Sequence, residues 1–304
     1  MNTEHLHPKE LSALALAYQD PRTPWYARVA AAGGVAQALE NRRVDELRAA
    51  TREPLPELAA SAGPDTSTAP LDLPPDAQLF DETPFVTPND EFYRIDTALS
   101  FPNINIDKWS CEITGMVDVP LKISYADLLA MPQVERAVTL CCVSNEVGGE
   151  YIGNAVWRGV MLRDLLETAG VQPGAEQVYS TSLDGWTCGF PVAAAFDGRD
   201  AMIAIGMNGS ALPLDHGYPA RMVVPGLYGF VSACKWITRM TLTTYDDQQA
   251  YWTEREWAID APIRISSRID TPRPLSKEKS GELMIGGVAW AQGVGIQRVE
   301  VRID

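Results

Sequence analysis

The segment MNGSALPLDHGYPARMVVPGLYGFVSACKW (residues 207–236) constrains the fold more than any other. Gly209, Gly217, Gly226 and Gly229 interleave with Pro213, Pro219 and Pro225, which predicts a succession of tight turns. Such turns leave backbone N–H groups exposed, and His216, Arg221 and Lys235 sit among them. Turn amides beside two fixed cations suit a phosphate-bearing ligand. The same pattern also describes a plain Gly/Pro-rich loop with surface charges and a structural histidine. Neither GxxxxGKS/T nor GxGxxG at a strand–helix junction occurs, so ordinary nucleotide sites are not indicated.

A second stretch, RAVTLCCVSN (136–145), ends an apolar strand on two adjacent cysteines. Neighbouring side chains of a strand point to opposite faces. Val138, Leu140 and Cys142 therefore share one face, and Ala137, Thr139 and Cys141 the other. One thiol can face a pocket while the other packs. A disulfide between the two would need a strained ring. The alternative is a pair of buried small hydrophobes. A third stretch, TPFVTPNDEFYRID (83–96), offers Asn89, Tyr93 and Arg94 on a turn leading into a strand.

Composition removes several function classes. Twenty-five Lys and Arg against forty Asp and Glu give a net charge of -15, which repels nucleic acid and anionic membranes. The five cysteines are odd in number and irregularly spaced, and no CxxC occurs, which argues against a disulfide framework, zinc ribbons and c-type haem. Three histidines, two of them at positions 5 and 7, cannot easily build a His-rich metal site. No apolar run reaches membrane-helix length and no signal peptide is read, so the chain as written is expected to be soluble.

The pattern along the chain predicts an α+β fold in three parts. Residues 1–80 read as Ala/Leu-rich helix followed by a Pro-rich linker. Residues 81–247 mix strands (WSCEITGMV, RAVTLCCV, EQVYSTSLDGW, ARMVVPG, KWITRMTLTTY) with helices (SYADLLAMP, MLRDLLETAGV) and lack a steady βαβ rhythm. Residues 248–304 carry strand-like runs broken by Gly and Pro, as at the opening of a β-sandwich.

CCVSN, WRGVMLRDLLETAGV and the 207–236 segment occur in this order, and together they resemble the molybdenum-cofactor domain of the sulfite oxidase family over roughly residues 80–245. Residues 248–304 resemble the start of that family's immunoglobulin-like dimerisation domain, which implies a homodimer where that domain is complete. The resemblance is nearest to bacterial members whose catalytic domain follows membrane helices. It implies an extracytoplasmic or membrane-associated setting, with residues 1–70 as the remnant or replacement of the connecting region.

The resemblance implies Mo-molybdopterin as cofactor, with Cys142 as the metal-ligating thiolate and Cys141 as packing. It places Arg221, Lys235 and His216 around the pterin and its phosphate, with Ser232, Ala233 and Cys234 completing the cradle. Asn89, Tyr93, Arg94 and Asp184 match further cofactor-contacting positions. The reaction implied is two-electron oxygen-atom transfer on a small molecule, with electrons exchanged with a haem or quinone-linked protein. Two departures bear on the substrate. Glu146 stands where sulfite oxidases carry a basic stretch, and DGWTCGFPV lacks their active-site tyrosine. A sulfite dianion needs cations near the metal. A neutral S-oxide or N-oxide, entering past Trp186 and Cys188, is therefore expected in its place. The rival readings are a sulfite oxidase or dehydrogenase, and a non-catalytic cofactor-fold or solute-binding module.

Overall fold

A computed structural model describes residues 84–302 apart from 99, 100, 103, 147 and 293, together with Leu55. Residues 54–304 form one compact unit, separate from 1–53. The helix and linker expected over 1–80 lie outside the described residues, Leu55 excepted. The chain runs β1 (Ser110–Gly115), β2 (Leu121–Ser124), α1 (Tyr125–Ala130), β3 (Val134–Cys141), β4 (Ile152–Met161), α2 (Leu162–Ala169), β5 (Gln177–Ser182), β6 (Thr187–Pro191), β7 (Met202–Met207), β8 (Ser210–Ala211), β9 (Arg221–Val223), α3 (Gly229–Ser232), β10 (Ile237–Thr243), β11 (Ser266–Thr271) and β12 (Gly286–Trp290). Single 3-10 turns lie at Val192–Ala195, Leu214–His216 and Thr253–Arg255.

Local chemistry sets the helices. Ser124 Oγ accepts from the Asp127 amide at 3.1 Å and Asp127 accepts from the Ser124 amide at 2.8 Å, a capping box that starts α1. α2 buries Leu162, Leu165, Leu166 and Ala169, one face at helical spacing. Gly170, at φ 69°, ends it in the left-handed conformation.

The strands form two five-stranded sheets and a ribbon. The first sheet has the order β2-β1-β10-β5-β6. Its β1–β10 pair is parallel and the others are antiparallel. The second has the order β3-β4-β7-β8, with β9 also paired to β7, all antiparallel. β7 is buried on both sides. Ile203 and Ile205 join a cluster with Ile113, Val178, Phe190, Leu242 and the leucines of α2, while Met202 and Ala204 join a second with Phe92, Leu140 and Trp157. A strand buried on both faces loses alternation, which is why MIAIGM does not announce itself in the sequence.

Trp157 and Gly159 lie within β4, and the helix expected from Met161 begins at Leu162. Gly159 permits a bulge there, because a Cβ would overlap the Ile203 carbonyl of β7. Beyond residue 248 the described strands are one antiparallel ribbon, β11–β12. Gln292 Nε2 donates to the Thr139 carbonyl at 2.7 Å and Arg268 to the Gly149 carbonyl at 3.1 Å, so the ribbon holds β3 and the loop after it.

Candidate active site

A cavity of about 370 Å³ opens where the two sheets' loops meet. Six separate segments line it: Phe92–Thr97, Leu140–Ser144, Ser182–Trp186, His216–Arg221, Gly229–Trp236 and Trp252–Trp257. Glycine sets the first of these. A Cβ on Gly153 of β4 would fall 2.6 Å from the Phe92 ring, so its absence lets Phe92 lie on the strand. Phe92 stacks on Tyr93 at 5.2 Å and meets Trp157 edge-on at 5.7 Å, which fixes Tyr93 in the cavity wall.

Cys142 lies just beyond the end of β3. Its amide donates to the Tyr151 carbonyl at 2.9 Å, and its carbonyl accepts from the Asn145 amide at 3.0 Å. Asn145 Oδ1 in turn accepts from the Tyr151 amide at 2.8 Å, so the loop is closed on itself. Cys142 and Leu140 line the cavity, two residues apart on one face. Cys142 Sγ sits 2.9 Å from Ser144 Oγ, a hydroxyl able to donate to a thiolate. Cys141 points elsewhere. It is buried, its thiol donates to the Cys142 carbonyl at 3.4 Å, and burial followed by the neighbouring Cys142 pushes its pKa up to about 11.

The cations occupy the deep end. Arg221 is 4% exposed, and its Nη1 donates to the His216 carbonyl at 3.0 Å. Its guanidinium lies 4.9 Å from the centre of the Trp157 ring. Among the described residues no carboxylate pairs with it. Burial pulls its pKa down to about 10, which leaves it charged at neutral pH. Lys235 Nζ meets Asp96 at 2.7 Å and the Asp215 carbonyl at 3.1 Å. Burial, opposed by Asp96, lowers Lys235 to about 8. Gly217, at φ 112°, lies between the two basic residues; a Cβ there would stand 3.0 Å from Arg221 Cβ and 3.1 Å from Lys235 Cβ. Trp236 adopts φ 48°, uncommon for a bulky residue. It is held there by its indole N–H on the Leu214 carbonyl at 3.0 Å and by the Leu183 amide on its own carbonyl at 2.9 Å. His216 Nε2 bonds the Asn89 carbonyl at 2.7 Å, so that nitrogen carries the proton. Burial takes His216 down to about 4, and it is neutral at pH 7.

Of the predicted site residues, Cys142, Tyr93, Asp184, His216, Arg221, Ala233 and Lys235 line this cavity. Four lie outside its lining. The Asn89 side chain accepts from Asn208 at 2.7 Å and is used up in that turn. Arg94 is exposed, lies over the Phe101 ring at 4.2 Å and bonds Asp96 at 2.8 Å. Ser232 Oγ donates to the Tyr228 carbonyl at 3.0 Å, inside α3. Cys234 is wholly buried in the core. The picture of the entrance also changes. Glu146 is exposed and outside the cavity lining, and Cys188 is packed in the core rather than beside Trp186. DGWTCGFPV brings no phenol to the cavity, whereas Tyr93 lies in its lining. Trp252 and Trp257 are wall residues that the sequence reading missed; the aromatic cluster YWTEREW (251–257) was the available signal.

One partly exposed thiol in the cavity lining and a buried guanidinium without a carboxylate suit a soft metal carried by an anionic organic cofactor. The description "Oxidoreductase molybdopterin binding domain" matches residues 98–252. The chain belongs to that family of molybdopterin-binding oxidoreductase domains, of the sulfite oxidase type. It is 29% identical to mitochondrial sulfite oxidase of Homo sapiens, across 98% of this chain and 64% of that one. It is 28% identical to sulfite oxidase of Gallus gallus (98% and 76%), and 27% identical to nitrate reductase [NADH] 1 of Oryza sativa subsp. japonica (79% and 32%). The chain thus spans 64% of the length of its mammalian relatives. Among solved structures it is similar to the sulfane dehydrogenase SoxCD of Paracoccus pantotrophus, with TM-score 0.52 and 28% identity over 63% of this chain and 55% of that one.

The residues fit the family's cofactor. Molybdopterin brings two dithiolene sulfurs, so the protein need add only one soft donor. Among the described residues no group of three His, Cys, Asp or Glu could hold a metal, whereas Cys142 offers a single thiol. Ser182 Oγ, on the cavity wall, is buried without a protein partner, an orphan suited to a polar ring. Arg221 is the buried cation that an anionic group would neutralise.

Proposed function

We propose that this chain is the catalytic domain of an oxidoreductase performing two-electron oxygen-atom transfer on a small, uncharged S-oxide or N-oxide. The observation that carries this reading is the shared cavity of Cys142 and Arg221, whose remaining walls are mainly apolar, with Phe92, Tyr93, Phe230 and four tryptophans among them. Bound molybdopterin supplies the metal that exchanges two electrons and an oxygen atom with the substrate. Cys142 would hold that metal, with Ser144 donating to its sulfur. Arg221 and Lys235 would hold the cofactor's anionic end, with neutral His216 beside them. Tyr93, whose phenol burial keeps protonated, can donate a hydrogen bond to the substrate oxygen.

The charge inventory favours an uncharged substrate over sulfite. Lys235 and Arg94 both bond Asp96, and Arg221 would be taken up by the cofactor. Among the described residues lining the cavity, that leaves no cation for a dianion. The names of the mammalian relatives favour the second reading, sulfite oxidation. Steady-state kinetics with an artificial electron donor or acceptor separate the two: turnover of sulfoxides or N-oxides is expected, and efficient sulfite oxidation without it would overturn the proposal. Cys142→Ser should remove one sulfur from the molybdenum X-ray absorption spectrum and Cys141→Ser should not. A haem or quinone-linked partner would exchange the electrons. Residues 1–70 would take the place of a region connecting to the membrane, and β11–β12 would begin an immunoglobulin-like domain able to pair two copies.

A further inference from the structure

Residues 248–263 form a strap that joins the two sides of the cavity mouth. At one side the Gln248 carbonyl accepts from Gln177 at 2.5 Å and the Tyr251 amide donates to Thr187 Oγ1 at 3.0 Å, next to Trp186. At the other, the Tyr228 amide donates to the Ala261 carbonyl at 2.8 Å and the Ile263 amide to the Gly226 carbonyl at 2.8 Å, two residues before Phe230. Buried Ala250, Ala261 and Ile263 seat both ends.

Between these anchors the strap folds back on itself. The Trp257 amide donates to the Trp252 carbonyl at 3.1 Å, and Glu256 at φ 62° makes the turn. The two indoles lie 4.3 Å apart, tilted by 31°, and Phe230 meets Trp257 edge-on at 5.0 Å. These rings and Trp186 line the cavity, and Trp257 is 39% exposed, in contrast to the buried cations at the deep end. A substrate entering the cavity therefore meets the aromatic faces first. The carboxylate among them is Asp184, exposed and accepting from the Trp186 amide at 3.1 Å; it repels anions and tolerates neutral molecules.

We propose that the strap tryptophans, with Phe230 and Trp186, form a substrate subsite selective for organic oxides bearing a flat apolar substituent, such as an aryl sulfoxide. Flat rings gain both area burial and stacking on exposed indoles, while a small alkyl oxide gains little. This rests on the S-oxide or N-oxide reading of the site, and the experiment separates the two claims.

Molybdopterin-loaded protein would be assayed with reduced artificial donor on methyl phenyl sulfoxide and dimethyl sulfoxide. Methyl phenyl sulfone, which is not turned over, would be titrated by tryptophan fluorescence. The wild type should show a KM for the aryl sulfoxide at least about tenfold below that for dimethyl sulfoxide. Trp257→Ala should collapse the ratio of the two KM values with a much smaller change in kcat, and weaken sulfone binding by a similar factor. Trp257→Phe should retain most of the preference. Equal KM values in the wild type, or an unchanged KM ratio in Trp257→Ala, would overturn the subsite while leaving the reaction intact. If neither oxide is turned over but the sulfone binds and depends on Trp257, the subsite stands and the reaction falls.

Discussion

At the scale of single residues, burial decides which groups in the cavity carry charge. His216 is 4% exposed and held near pKa 4, against 6.5 in an unfolded chain. Between those values the unfolded state binds a proton that the folded state does not, so stability rises with pH across the window. Acidification from pH 6.5 to 4 should thus remove about 3 kcal/mol through this group. His216→Gln should lose less stability than the wild type between pH 7.5 and 4.5, as read by denaturant unfolding; equal losses would exonerate His216. Arg221 poses the converse case, a buried charge kept without a carboxylate. Arg221→Met should purify with several-fold less molybdenum, yet the apoprotein should unfold within about 1 kcal/mol of the wild type, because an apolar side chain avoids the desolvation penalty. The face on which Cys142 lies is legible from alternation alone. The role of Asn89 is not, because a polar side chain in a turn reads the same whether it bonds a ligand or, as here, Asn208.

At the scale of elements, the site depends on close approaches that only glycine permits. Gly153 of β4 leaves room for the Phe92 ring, which in turn carries Tyr93. Gly153→Val should displace that ring, lower stability by about 1–3 kcal/mol and reduce molybdenum content, measured by thermal unfolding and metal analysis. A melt and metal content equal to the wild type would show that the loop is placed by other contacts. α1 was legible from its capping box, and α2 from its apolar periodicity and the Gly170 that ends it. β7 was not, because burial on both faces erases its alternation, and β4 was hidden behind the helix that follows it directly. The strap was missed for a different reason. Its tryptophans follow the last strand of the first sheet, where strand-like runs suggested a new domain, and their cavity contacts reach back to Phe230 and Trp186.

At the scale of the whole molecule, charge sets how partners approach. A net charge of -15 should speed encounter with cationic electron mediators and slow it with anionic ones. The ratio of turnover rates with a cationic and an anionic mediator of similar potential should be at least several-fold at low salt and shrink toward unity near 0.5 M, where screening acts within about 4 Å. An unchanged ratio would mean that electrons leave through a locally neutral patch. The six segments of the cavity wall run from Phe92 to Trp257, across both sheets. No partial fold holds more than fragments of that wall, because contacts so distant in sequence close late. Cofactor capture therefore reports completed folding. A chain in which Cys142 and Arg221 are not yet brought together would lack the guanidinium that helps retain the ligand, so cofactor loading should select finished molecules.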